Sequence, residues 1–171
     1  MRSLHERLHR EARAYAGGSD RPLAGYTGLM ALYAATVLAT AATARARRRE
    51  LPDPTPWDVT LTALATHQLS RLITKDPVTS PLRAPFTSFE GTSGPAELEE
   101  DVRGAGARKA IGELVTCPFC TGLWVATAST AGSVFAPRAT RLATAGLAAL
   151  AGADFLHFAR AVVQHAADGT S

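Results

Sequence analysis

Two cysteines stand in Thr116-Cys117-Pro118-Phe119-Cys120, and the 171-residue chain has no others. Proline suits the first turn of a helix, where its missing N–H is not needed, so Cys117 reads as the capping residue of a helix. A helix N-terminus stabilises a thiolate and lowers the pKa of a cysteine. With two residues between them, both sulfurs can reach one metal ion or close a disulfide. Thiol–disulfide exchange would use such a pair, but the chain lacks the βαβ pattern of a thioredoxin. Zinc needs about four ligands, so His67, Glu113 or a second copy of the chain would have to complete the set. The plain alternative is a pair of small packing residues at a helix start. On a cytoplasmic face the thiols stay reduced, which favours metal or packing over a stable disulfide.

A second dense stretch is Arg71-Leu72-Ile73-Thr74-Lys75-Asp76-Pro77-Val78-Thr79-Ser80-Pro81-Leu82-Arg83. Arg71, Lys75 and Arg83 could bind a phosphate or a lipid headgroup, with Thr74 or Thr79 adding hydroxyl donors. Asp76 could instead pair with Arg71 or Arg83, and the stretch would then be a helix cap and a rigid turn. His67 and Arg71 lie one helical turn apart; such groups are costly at membrane depth and ordinary on a wet face. Glu90, in Phe89-Glu90-Gly91, and Glu113 complete the candidate binding residues. Glu113 has Arg108 and Lys109 as near partners. Asp154 and His157 read as exposed groups near the end of the last helix. No P-loop, GxSxG, HExxH or dinucleotide glycine pattern occurs, so no catalytic residue is assigned.

The elements that hold these residues are marked by where charge is absent. Lys and Arg total 18 against 15 Asp and Glu, a net charge of +3. Charge gathers in the first fifty residues and between about 71 and 113. Basic loops at a membrane surface account for this pattern, and no nucleic acid is expected. Residues 23–44 carry no charge. An α-helix rises about 1.5 Å per residue, so ~20 residues cross a bilayer core of ~30 Å. Arg45, Arg47, Arg48 and Arg49 stop that run. It is too long for a signal-peptide core, and its leader is long and partly acidic. Residues 114–136 form a second strong span, closed by Pro137-Arg138, and residues 139–163 a last one.

Residues 57–74 are less apolar. Trp57, Leu61, Leu64, Ala65, Leu69, Leu72 and Ile73 make one face, while His67, Ser70, Arg71 and Thr74 gather on the other. This helix spans if neighbours cover the polar face, and otherwise lies on the surface. Residues 1–21 read as a basic amphipathic helix or a solvated tail. Residues 75–111 read as a loop, broken by Pro77, Pro81, Pro85, Pro95 and four glycines. One short helix is expected after Pro95, with Glu97, Glu99 and Glu100 at its positive end. Ala24/Gly28, Gly122/Ala126, Ala128/Gly132 and Ala148/Gly152 are small pairs of the kind that let helices approach closely in lipid.

The run from Arg71 to Arg83, then Phe89-Glu90-Gly91, then Glu113-Leu114-Val115-Thr116-Cys117-Pro118-Phe119-Cys120-Thr121-Gly122-Leu123-Trp124, resembles the bacterial domain-of-unknown-function family 1360. The likeness covers roughly residues 57–158 and leaves the first 55 outside. It implies a small bacterial multi-pass membrane protein without an assigned activity, in a family that includes proteins linked to spore formers. It supplies no catalytic residue.

The expected fold is all-α: a membrane bundle of three to four transmembrane helices with a long Pro/Gly-rich loop. Residues 1–22 form the tail, 23–56 the first span and its basic loop, 57–163 the family core, and 164–171 a disordered tail. The expected partners are the lipid bilayer and a second copy or another membrane protein. The expected role is non-enzymatic binding in the cell membrane. The positive-inside rule puts both termini and the 71–113 segment in the cytoplasm, although the 45–49 cluster argues the other way.

Overall fold

A computed structural model describes residues 7, 10–12 and 14–168. The expected basic N-terminal helix falls partly outside them; residues 10–12 and 14–16 are helical and end at Gly17-Gly18. The main elements are helices α1 (Leu23–Ala46), α2 (Pro56–Lys75) and α3 (Ser80–Arg83), strands β1 (Thr87–Gly94) and β2 (Glu97–Val102), and helices α4 (Gly106–Thr116), α5 (Pro118–Phe135) and α6 (Pro137–Asp168).

Helix α1 is apolar all round, so its composition marks no one face for the protein. It buries only Ala44 and leaves Met30, Leu32, Val37 and Leu38 exposed. Helix α2 starts at a capping box. The Thr55 hydroxyl accepts from the Asp58 amide at 3.2 Å, and the Asp58 carboxylate accepts from the Thr55 amide at 3.0 Å. It buries Ala65, Gln68, Ser70 and Thr74 against α5 and α6, while Trp57 stays exposed. Neighbours thus cover Ser70 and Thr74 of the polar face of α2, Arg71 is partly covered, and His67 stays exposed.

Cross-contacts set the helix directions. Tyr26 meets Glu113, and further along Tyr33 meets Thr127, so α1 and α5 run the same way. Thr140 packs on Gly132, so α6 turns back along α5. Gln68 meets Asp154, while Asp58 and Arg141 line one groove at the start of both helices, so α2 runs with α6. The starts of α1 and α5 and the ends of α2 and α6 therefore share one end of the bundle.

Residues 75–111 are not a loop; they fold into a cap on that end. Asp76 accepts from the Val78 amide at 2.7 Å and starts a 3-10 turn, Pro77–Thr79, which leads into α3. The expected helix after Pro95 is a strand. Ala96 adopts φ 57°, which turns the chain back and pairs β2 antiparallel with β1. Glu97, Glu99 and Glu100 then belong to β2, where Leu98, Glu100 and Val102 are partly covered and Glu99 and Asp101 exposed. That period of two belongs to a strand. The fold is mostly helical with one two-stranded sheet, and all-α is corrected to that extent.

Two further boundaries differ. Residues 114–136 are not one straight helix: the chain bends by 81° between α4 and α5 at Cys117. Pro118 cannot supply the N–H that would continue α4. Helix α6 continues through Asp168, into the expected tail. Among the described residues, Leu23–Ala46 and Pro137–Asp168 are long and apolar enough to cross a membrane, with a third span if the bent α4–α5 pair counts as one. Helix α2 is not apolar enough alone.

Candidate functional site

Arg83 is the most enclosed charge of the cap, with 0% of its surface exposed. Its Nε donates to Glu100 at 2.5 Å and its Nη2 reaches the other Glu100 oxygen at 3.3 Å. Its Nη1 donates to the Ile73 carbonyl and the Thr79 hydroxyl, both at 2.8 Å, and Nη2 to the Asp76 carbonyl at 3.1 Å. All five guanidinium hydrogens are thereby used. Arg83 ties the end of α2 to β2, and the expected convergence of Arg71, Lys75 and Arg83 on one anion does not form. The reason is Glu100, which the hairpin carries onto Arg83 and which neutralises it inside the protein.

Arg71 is a second junction. Its Nε donates to Glu97 at 2.6 Å and its Nη1 to Asp154 at 3.3 Å, so one side chain joins α2, β2 and α6. Gln68 donates to the same Asp154 oxygen at 2.9 Å. Asp154 is therefore a partner of α2 and not merely an exposed group near a helix end. Thr74 is buried and bonds the Ser70 carbonyl at 2.8 Å. Thr79 donates to carbonyls at the end of α2. Asp76 meets Arg83 through its carbonyl, and its carboxylate pairs with neither Arg71 nor Arg83. Lys75 has no acceptor for its ammonium among the described residues. Glu90 is exposed on β1.

Glu113 is not held by Arg108 or Lys109. Arg108 donates to the Pro85 carbonyl at 3.0 Å and Lys109 to the Asp20 carbonyl at 2.7 Å. Glu113 instead accepts from the Tyr26 hydroxyl and so fastens α1 to α4. Hydrogen bonding at Tyr26, then its charge and that of Glu113, hold the Arg21 guanidinium above its usual pKa.

Cys117 caps α5, as Pro118 leads one to expect, and its sulfur accepts from the Cys120 amide at 3.3 Å. Cys120 is exposed and Cys117 half-buried, both as free thiols. His67 stacks on Phe155 with ring centres 6.1 Å apart. No group of three or more His, Cys, Asp or Glu able to hold a metal forms among the described residues. The His67 or Glu113 completion of a zinc site is thus not built.

Two hollows adjoin these junctions. A groove of about 1090 Å³ runs beside α2, α5 and the start of α6, lined by hydroxyls such as Thr62, Thr66, Ser70, Ser129 and Ser133. A cavity of about 480 Å³ lies under the hairpin turn, between the end of α2 and α6. Arg71, Lys75 and Glu97 line both.

A family model described as a protein of unknown function, DUF1360, matches residues 61–160. That is more than half of the chain, and it runs from α2 through the cap to α6. The chain belongs to this family. The DUF1360 region holds both partners of the Arg71–Glu97, Arg71–Asp154 and Arg83–Glu100 pairs, both cysteines and the cavity lining up to Phe158. Helix α1 lies before it. The chain is also similar to the sporulation protein YjcA of Bacillus subtilis (strain 168), at 37% identity over 71 residues. That stretch is 40% of this chain and 60% of the length of the relative. No solved structure matches the chain.

Glu97, Glu100, Asp154, Gln68 and Tyr26 were not singled out as site residues from the sequence. A signal existed for the glutamates, since residues 97–101 carry four acids a short way after Arg71, Lys75 and Arg83. Nothing local marks Gln68 or Tyr26.

Proposed function

We propose that this DUF1360 member is a multi-pass integral membrane protein whose cap is a non-enzymatic binding surface on the cytoplasmic face. The observation that carries this reading is α1: 24 residues long, with only 6% of its most apolar window buried. In water so much exposed apolar surface would drive association; in lipid it costs nothing. The alternating helix directions support four spans, with α2 shielded by α5 and α6. Its charged end, at Arg71 and Lys75, then lies at the bilayer surface. The cap supports binding over catalysis, because its inward-facing cations, Arg71 and Arg83, are neutralised by Glu97, Asp154 and Glu100. Arg21, Arg103, Arg108 and Lys109 stand at the cap end, which favours the cytoplasm for that side.

The test is extraction and labelling in cells. The chain is expected to stay in the membrane pellet through alkaline carbonate and to need detergent. In a Cys117→Ser/Cys120→Ser background, Arg48→Cys is expected to react with an impermeant maleimide in intact cells, and Glu90→Cys only after lysis. Release by carbonate as a monodisperse monomer would overturn the membrane reading. The reverse labelling pattern would keep the spans and overturn the sidedness.

A further inference from the structure

The ion pairs of the cap leave its two thiols unused. Cys117 and Cys120 stand at the elbow where α4 meets α5, and both are free. Residues 118–120 are helical, which puts the Cα atoms of the pair about 5 Å apart. A disulfide spans Cα separations of about 4.4–6.8 Å, so one can close here by side-chain rotation. The Cys120 thiol already hydrogen-bonds the Cys117 sulfur.

The two thiols are not equivalent. The Cys117 sulfur caps α5, where it accepts from the Cys120 amide at 3.3 Å as well as from the Cys120 thiol. Donors aimed at a sulfur favour its thiolate, and the start of a helix adds positive potential. Cys120 acts as a donor in this contact. Cys117 is half-buried and Cys120 exposed, so the pair is open to a reactant from the surface. No third His, Cys, Asp or Glu joins them to make a metal site among the described residues, which sets redox chemistry above metal binding.

We propose that Cys117 and Cys120 form a reversible dithiol–disulfide couple that reduces a small-molecule disulfide, with Cys117 attacking and Cys120 resolving. The Cys117 thiolate attacks one sulfur of the disulfide; a mixed disulfide forms, the original S–S bond breaks, and the first thiolate leaves. The Cys120 thiolate then attacks the Cys117 sulfur, closes the Cys117–Cys120 bond and expels the second thiolate. Both cysteines are oxidised, the reactant is reduced to two thiols, and the two cysteine protons end on those thiols. On a cytoplasmic face such a bond is transient, as redox couples there are. The chemistry needs only this one helical turn and does not depend on the number of spans.

The test uses the pre-reduced full chain in detergent, mixed with oxidised and reduced glutathione in rising ratio. Samples are quenched in acid, alkylated with a maleimide and weighed intact. The chain is expected to lose two hydrogens and both alkylation sites together, and to regain them when reduced glutathione is restored. Cys120→Ser is expected to stop with one glutathione on Cys117. At neutral pH, Cys120→Ser is expected to react with oxidised glutathione about threefold or more faster than Cys117→Ser. That is roughly the net gain from lowering a thiol pKa by one unit, since the thiolate fraction rises while its nucleophilicity falls. The parent titration decides the matter if either variant does not fold. Thiols that stay alkylatable at every ratio, a glutathione adduct that persists on the parent chain, or a dimer joined by interchain disulfides would each overturn the couple. Zinc retained by the parent and absent from Cys117→Ser/Cys120→Ser, with the parent thiols blocked, would overturn it in favour of a metal-bridged assembly. Equal rates for the two single variants would overturn the assignment of Cys117 as the attacking thiol.

Discussion

Replacing Arg83 with methionine is expected to destabilise the protein by about 3–5 kcal/mol, the usual result of removing one partner from a buried ion pair. Glu100, whose side chain is 7% exposed, would be left without its countercharge. The carbonyls of Ile73 and Asp76 and the hydroxyl of Thr79 would lose their donor at the same time. The cap should then loosen before the helices do. Thermal unfolding in detergent is expected to show a much lower midpoint, and protease should cut within residues 84–105 under conditions that spare the parent chain. The double variant Arg83→Met/Glu100→Leu is expected to recover most of the loss, because replacing both partners by apolar groups is often close to neutral. A single Arg83→Met variant with the parent midpoint would show that the pair does not hold the cap.

Gly25→Leu is expected to undock α1 from the cap. A Cβ at Gly25 would lie 2.7 Å from the Ala110 Cβ and 3.0 Å from the Gly106 carbonyl oxygen. The second neighbour is backbone and cannot rotate away. Overpacking of this kind costs about 1–3 kcal/mol, which for a chain of this size lowers the midpoint by roughly 2–4 °C per kcal/mol. The contacts at risk are the Tyr26–Glu113 hydrogen bond and the Lys109 contact with Asp20. Trypsin cleavage after Lys109 is therefore expected to quicken, while α2, α5 and α6 keep their packing. Gly25→Ala should show a smaller loss, and Gly25→Ala/Ala110→Gly should recover part of it. An unchanged midpoint and cleavage rate for Gly25→Leu would rule out close docking at this point.

The small pairs chosen by spacing locate that contact poorly. A Cβ at Gly28 or Gly152 would meet nothing within 4 Å, whereas Gly122 faces Thr66 and Ser70 of α2. Gly25 and Gly112 make the closest approaches outside the α5–α6 turn. At Gly112 a Cβ would lie 2.5 Å from Val102 Cγ1 and 3.2 Å from the Phe86 carbonyl oxygen. Of the glycines in the spaced pairs, Gly132 lies against Thr140 and Gly122 against α2, while Gly28 and Gly152 are open, so in an alanine-rich chain four-residue spacing finds some crossings and misses Gly25 and Gly112.

Helix placement was legible because its causes are local. Uncharged length marks α1, Pro56 and Pro118 mark the starts of α2 and α5, and Cys117 caps where proline placement predicts. Family membership was legible in the runs around Arg71, Phe89 and Cys117, since these are literal residue strings. The cap was not legible, because dense Pro and Gly announce turns without saying whether a strand pairs between them. Pairing of β1 with β2 depends on a left-handed turn at Ala96, a residue with no special preference for it. The candidate anion site failed for a related reason. Whether Arg83 meets a ligand or Glu100 depends on where the chain carries an acid 17 residues away, and whether Arg71 meets Asp154 depends on an acid 83 residues away. Hydropathy and capping act over one or two helical turns, so residue order alone determines them; charge pairing acts through space, so only the folded path decides which charges are spent and that Lys75 is left over.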